Sequence, residues 1–321
     1  MACGGYDRIS ALYDGSVRPE GVELRPFTID DPMELFARML NDEFDISEMS
    51  LSRCFIMRAN KTARFVVLPV FPSRMFRHGY IFVNRRTIAN PKDLEGKRVG
   101  VRGYQMTAAV WIRGILRNDC GVSLDEIEWL EGGVNESRVP GGSALNIHPR
   151  KSLKIQDIPG DRTLSDMLSR GEIDALIGHN IPDAFGRNED IVRLFPDYHA
   201  TERDSFRSTG VFPIMHALVI REDLYRAHPW LGTSIYKACD AAKSLAQKQA
   251  RSSHATRFML PWLRAHLDEL EQVFGQDPWP YGLAQNRKTL EAFHQFLLDD
   301  GFLSEPISLH DVFAPVGGAK M

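Results

Sequence analysis

Several short stretches of this chain carry side chains suited to gripping an anion or moving a proton. In SRMFRH, Arg74, Arg77 and His78 follow an apolar run of strand length. Alternation along such a stretch puts Arg74 and His78 on one side and Arg77 on the other. Arg74 is then a candidate carboxylate ligand and His78 a candidate proton carrier; the plainer alternative is a solvated basic loop. In YQMT, residues Tyr104, Gln105, Met106 and Thr107 follow RVGV and open a helix. A strand–turn–helix junction offers backbone N–H groups and partial positive charge to a carboxylate. Gln105 and Thr107 can add side-chain donors and Tyr104 a phenol, although Thr107 is equally suited to capping the helix. His179 follows IDALIG at a strand's carboxyl end, and His216 lies inside FPIMHALVI. A histidine in an apolar strand must find a partner or face a cavity, and imidazole is the side chain that titrates near neutrality. Tyr6, Asp7 and Arg8 suit a ligand-facing loop, with Asp7 and Arg8 as a simple surface pair the alternative. Ser50 and Ser52 in EMSLS can bond a hydroxyl or carboxylate, or serve as a helix cap.

The elements that must position these residues alternate between strand and helix through the first two-thirds of the chain, which predicts an α/β architecture. Residues 21–29 read as a strand, and Asp31-Pro32 opens a helix over 33–40. Residues 44–51, 64–70 and 80–84 read as strands. PKDLEGKRVGV marks a boundary: a polar turn, then a short buried strand, then a helix beginning near Met106-Thr107. Residues 132–149 form a Gly-, Pro- and Asn-rich loop that is long for a compact domain. Thr163 caps a helix over Leu164–Ser169 and Gly171 suits its end. Residues 173–178 read as a buried strand, with a further helix expected after the loop at His179. Residues 210–221 form a strand that returns toward the first lobe, and helices over 229–250, 259–274 and 286–298 follow. A middle lobe of residues 101–209 is thus inserted into a lobe built from 1–100 and 210–321. Two crossings give a hinge and a central cleft, where strand carboxyl ends meet helix N-termini.

Composition narrows the function classes. The 321 residues are 43% hydrophobic and 25% charged, with a formal net charge of −3. No global basic field points to nucleic acid or an anionic membrane. No run of about 18 apolar residues predicts a membrane span, and MACGGYDRIS lacks the basic and apolar regions of a secretory signal, so a cytoplasmic location is expected. Cys3, Cys54, Cys120 and Cys239 form no CxxC pair, which favours reduced thiols over a disulfide framework. The histidines show no HxH or HxxxH spacing, so no metal site is expected. Neither GxGxxG nor a Walker pattern occurs, so no nucleotide site is supported.

The run FPSRMFRHGYIFVN (71–84), then PKDLEGKRVGV, then YQMTAAVWIRGIL (104–116) resembles the 4,5-dihydroxyphthalate decarboxylase family. So do YDRISALYDGSVRPEGVEL (6–24), GEIDAL (171–176), LFPDY (194–198), GVFPIMHALVIR (210–221), MLPWL (259–263) and WPYGLAQNR (279–287). PKDLEGKRVGV is shared broadly among solute-binding-like proteins; SRMFRH, YQMTA and FPIMH in that order are the more specific marks. Segment 132–149 departs from the pattern. The resemblance implies a type II periplasmic-binding-protein-like fold with a helical C-terminal segment. It further implies loss of one ring carboxylate of an aromatic dicarboxylate as CO2 to give protocatechuate, with no cofactor. Arg74 and Tyr104–Thr107 would bind carboxylates, with Asp7, Arg8 and Ser50 beside them, and His78, His179 and His216 would carry protons. The rival expectation is a non-catalytic binding protein for an aromatic carboxylate, which fold alone does not separate from an enzyme. The long C-terminal helices can pack on the first lobe or on another subunit, leaving a homo-oligomer open.

Overall fold

The structure, a computed structural model, describes residues 1–138, 149, 153–254 and 257–316. It divides into two compact units, one of Met1–Arg74, Ile214–Leu290 and Ile307–Met321, the other of Met75–Pro213 and Glu291–Pro306. Of the loop expected over 132–149, residues 139–148 lie outside the described residues.

The chain opens with β1 (Ala2–Cys3), α1 (Asp7–Tyr13), β2 (Phe27–Thr28), α2 (Pro32–Leu40), β3 (Ile46–Ser50), α3 (Leu51–Ala59) and β4 (Phe65–Arg74). The second unit follows with β5 (Ile81–Asn84), β6 (Arg98–Val101), α4 (Thr107–Asn118), β7 (Glu128–Glu131), β8 (Ile155–Asp157), α5 (Leu164–Ser169), β9 (Ala175–Ile177), β10 (Ile191–Arg193) and α6 (Tyr198–Thr209). The return comprises β11 (Ile214–Arg221), α7 (Glu222–Ala227), α8 (Trp230–Ala250), α9 (Leu263–Phe274), α10 (Leu283–Asp299) and α11 (Leu309–Val312).

In the first unit the sheet order is β2-β1-β3-β11-β4. β1 runs parallel to β2 and β3, and β11 is antiparallel to β3 and β4. The carboxyl ends of β1, β3 and β4 and the start of β11 therefore share one edge. β4 continues four residues past the expected end, through Pro69 and Pro72. It lies at the sheet's margin, where a strand tolerates the missing N–H of proline. The strand expected over 21–29 keeps its alternating burial, yet only Phe27 and Thr28 enter the ladder. Gly21, at φ 71°, takes the chain into this segment in a conformation that suits glycine.

In the second unit the order is β10-β5-β9-β6-β7-β8. β5 pairs with β9 and β10. Residues 75–100 are thus held here, not with the first unit as the sequence suggests, and the chain leaves the first unit after Arg74 and re-enters at Ile214. The second half of α10 also belongs here, because α4 needs a cover. The Trp111 ring lies 5.0 Å from that of Phe293, and Gly114 leaves room for Phe296. Arg113 donates to Asp300 at 2.9 and 2.7 Å with both side chains fully buried, and Arg117 reaches the other oxygen at 2.9 Å. Removing one partner of such a pair costs about 3–5 kcal/mol. The helix expected after His179 is a run of turns. Instead α6 forms, capped by Asp197, which accepts from the Ala200 N–H at 3.2 Å, and ended by Gly210 at φ 68°. None of its residues is buried, so it carries no apolar stripe to announce it.

Candidate active site

β3 delivers a glutamate into the interior of the first unit. Glu48 is 1% exposed, and an isolated buried carboxylate is untenable without donors. It has four. Oε2 accepts from the Cys3 thiol at 2.9 Å and the Gly4 N–H at 3.0 Å, and Oε1 accepts from the Tyr6 hydroxyl at 2.8 Å and from His216 Nδ1. Burial works to raise the Glu48 pKa, but the His216 hydrogen bond and charge, with Cys3 and Gly4, hold it down at about 2. Tyr6 and Cys3 shift upward, chiefly through burial and then through the Glu48 charge, so both stay protonated donors.

The strand register explains why these groups meet. His216 stands opposite Ser50 on β3 and opposite Ser73 on β4, which makes Glu48 its diagonal neighbour. The β11–β4 register shifts on both sides of His216. Such irregularities re-aim a side chain next to a site. With Nδ1 on a carboxylate that stays ionised, the imidazole keeps a proton there. No described residue bonds Nε2. The side chain is 15% exposed, and the Phe36 ring packs edge-on at 5.0 Å.

Of the expected residues, His216, Ser50, Asp7 and Arg8 fall in this neighbourhood. Ser50 Oγ lies 3.1 Å from Ser52 Oγ at the start of α3. The Arg8 guanidinium is held between two rings, 4.3 Å from Tyr6 and 4.4 Å from Trp279, with Nε on the Pro72 carbonyl and Nη1 on Asp7 at 2.9 Å. Asp7 is exposed at the first turn of α1 and serves Arg8. Arg74 is buried, and its Nη2 donates to the Pro280 carbonyl at 3.0 Å and to Asn286 Oδ1. These bonds fasten β4 to the start of α10.

The remaining expectations fall in the second unit. Tyr104 to Thr107 follow β6, His179 follows β9, and His78 precedes β5, all on one edge of that sheet. Tyr104 departs from its expected role. Its ring packs under the Arg113 guanidinium at 3.6 Å and against Trp129 and Phe302, and its N–H goes to Glu131. Gln105 and Thr107 are buried, and Met106 is the N-cap of α4, without a side-chain cap bond. His179 is half-buried. His78 is 3% exposed, and burial lowers its pKa to about 4. Its Nδ1 lies 3.9 Å from Glu202 Oε1, and burial raises Glu202 to about 7.

Sequence reasoning passed over Glu48, Glu202 and Arg53. A charged residue in the apolar strand pattern of DISEMSL was the available signal for Glu48. Among the described residues, no group of three or more His, Cys, Asp or Glu side chains is gathered as for a metal ion, and no helix is long and apolar enough to cross a membrane. All four cysteines are free thiols.

No family model matches the chain. It is 35% identical over 319 residues to a 4,5-dihydroxyphthalate decarboxylase of Comamonas testosteroni, covering 98% of this chain and 96% of that protein. The chain belongs to the 4,5-dihydroxyphthalate decarboxylase family. A Pseudomonas putida protein of the same name is 37% identical over 211 residues, 65% of this chain and 81% of that protein. Among solved structures, the periplasmic aliphatic sulphonate-binding protein SsuA of Escherichia coli superposes with a TM-score of 0.54 at 12% identity, over 98% of this chain and 92% of that one. SsuA of Xanthomonas axonopodis pv. citri, bound to MOPS, gives 0.50 at 11% identity, over 99% and 98%. The family is thus built here on the periplasmic-binding-protein-like α/β fold.

Proposed function

We propose that this chain is a cytoplasmic carboxy-lyase that decarboxylates a hydroxylated aromatic dicarboxylate, 4,5-dihydroxyphthalate or a close analogue, to protocatechuate and CO2. The kinship with the Comamonas decarboxylase across 98% of the chain carries the reading. The site chemistry supports it. A hydroxyl para to a carboxylate pushes electron density onto the carbon that bears it. Protonated His216, backed by Glu48, gives its Nε2 proton to that carbon. The bond to the carboxylate then breaks, CO2 leaves with the oxygen charge neutralised, and the ring recovers its aromaticity with a hydrogen where the carboxylate stood. Water re-protonates the imidazole, so each turnover consumes one proton. Glu48 fixes the ring's orientation and stabilises the imidazolium, the part a carboxylate plays behind a general acid–base histidine. Arg8, oriented by Tyr6 and Trp279 at the surface of the unit, attracts the dianionic substrate. Four free thiols suit a reducing compartment.

The test is turnover. Purified protein with 4,5-dihydroxyphthalate and no added metal should release CO2 and protocatechuate in equal amounts. His216→Asn should lower kcat by about 10²–10⁴-fold with substrate binding retained. The same replacement at His78 and His179 asks whether either carries a second proton. Binding without CO2 release by the wild type would refute the reading in favour of a solute-binding protein, and an unchanged kcat in H216N would remove His216 from it.

A further inference from the structure

Arg53 is a buried charge of the first unit that the proposed mechanism does not use. It is the third residue of α3, 5% exposed, and its Nη1 is buried with no hydrogen-bond partner. No acidic side chain pairs with it among the described residues, and its near contact is the face of Phe36, 5.6 Å from the guanidinium carbon. Burial draws its pKa down to about 10, which still leaves it charged at neutral pH. A naked cation in an interior is unfavourable unless an anion arrives to complete it.

Its surroundings are those of an anion site. α3 is nine residues long and begins at Ser50, which is in an extended conformation, so the partial positive charge of the helix N-terminus lies at this point. Arg53 belongs to that first turn, and helical side chains lean toward the N-terminus. The Ser50 and Ser52 hydroxyls are buried there, 3.1 Å apart. Phe36 ties the place to the dyad, because the same ring that faces Arg53 meets the His216 ring at 5.0 Å, and Ser50 stands opposite His216 in the sheet.

We propose that Arg53 and the N-terminus of α3 form the subsite for the substrate carboxylate that stays on the ring. The assignment rests on the decarboxylase reading for the word substrate, but the anion site stands on its own geometry. A guanidinium gripping the departing carboxylate would stabilise the ground state against the reaction. Gripping its neighbour instead fixes the ring through a group that does not change during the reaction.

Phthalate, which lacks the hydroxyls needed for reaction, is the probe. Its dissociation constant is measured by calorimetry and its effect on Tm by thermal melting, for wild type, Arg53→Met and Arg53→Lys. Arg53→Met should weaken phthalate roughly 100-fold and Arg53→Lys less, since lysine keeps the charge but loses the fork. Without ligand, Arg53→Met should melt at or above the wild-type temperature, because the unpaired cation is gone; phthalate should then raise the Tm of wild type but not of the variant. With 4,5-dihydroxyphthalate, KM should rise more than kcat falls. Equal phthalate affinity in wild type and both variants overturns the subsite, and so does a ligand-free Arg53→Met less stable than wild type, which marks a structural arginine. Arg53-dependent phthalate binding with no CO2 from dihydroxyphthalate would sink the decarboxylase reading and leave the anion site. Normal turnover with an unchanged KM in Arg53→Met would do the reverse.

Discussion

Replacing Glu48 with glutamine tests the dyad through both stability and chemistry. The carboxylate takes two donors on each oxygen. The Gly4 N–H cannot reverse, so in Glu48→Gln the amide oxygen must occupy the Oε2 position and the NH2 must face Tyr6 and His216. The Tyr6 hydroxyl can rotate away. His216 can accept only by giving up its Nδ1 proton, which moves the proton to Nε2 and leaves the neutral ring in the opposite tautomer. The rate should fall on the order of 10³-fold or more, as when an amide replaces the carboxylate behind a catalytic histidine. For stability, the Glu48 pKa is lowered from 4.5 to about 2 in the fold. At about 1.4 kcal/mol per pH unit, this is worth about 3 kcal/mol. The sign follows from the direction. A depressed carboxylate stabilises the fold above its unfolded pKa, and the contribution disappears as pH falls from about 4.5 toward 2. Urea unfolding at pH 7 should show Glu48→Gln about 3 kcal/mol less stable than wild type, with the gap reduced to roughly half by pH 3. Nitrogen chemical shifts of His216 should report the tautomer change. Equal stability at pH 7, or a gap that persists unchanged to pH 3, would refute the electrostatic account.

Two further outcomes test the second unit. Burial raises the Glu202 pKa from 4.5 to about 7, so the fold favours its protonated form and loses stability as pH rises through that window. Glu202→Gln should match wild type at pH 4 and melt higher than wild type at pH 8, as followed by Tm across pH. An added Cβ on Gly114 would sit 2.1 Å from Phe296, so Gly114→Ala should cost about 1–3 kcal/mol of stability by overpacking the contact between α4 and α10. Chemical denaturation would show it.

Much of the fold was legible because its elements obey local rules. Asp31-Pro32, Thr163 and Gly171 mark helix ends where the structure has them, and the apolar runs at 64–70 and 214–221 are strands. What was missed needed information from elsewhere in the chain. The short ladder at Phe27–Thr28 depends on how far β1 extends, and α6 has no buried face from which a period could be read. The unit boundary was misplaced because PKDLEGK looks like a linker, while the strands that pair with β5 lie far along the chain, at β9 and β10. At the site, histidines drew attention by type and arginines by motif. The structure reorders them by company: the Nη2 of Arg74, in the most conspicuous motif, donates to Asn286 and Pro280, whereas the Nη1 of Arg53, inside a helix with nothing to distinguish it locally, is buried without a hydrogen-bond partner among the described residues.

That contrast is a general handle on this fold. A binding scaffold draws affinity from fixed donors that complement an anion in its ground state, and such donors alone give no acceleration. An enzyme needs, beside them, a group whose proton is poised to move and whose orientation is set before the substrate arrives. On the proposed reading, these two requirements fall to different residues on adjoining elements of the first unit. α3 contributes the buried cation and the helix N-terminus, and the sheet contributes a histidine locked to a carboxylate that stays ionised. Four donors converging on one buried glutamate would be an extravagant way to build a passive pocket, because each must be desolvated and held. They make sense where the orientation of the imidazole, to within a hydrogen bond, decides the rate.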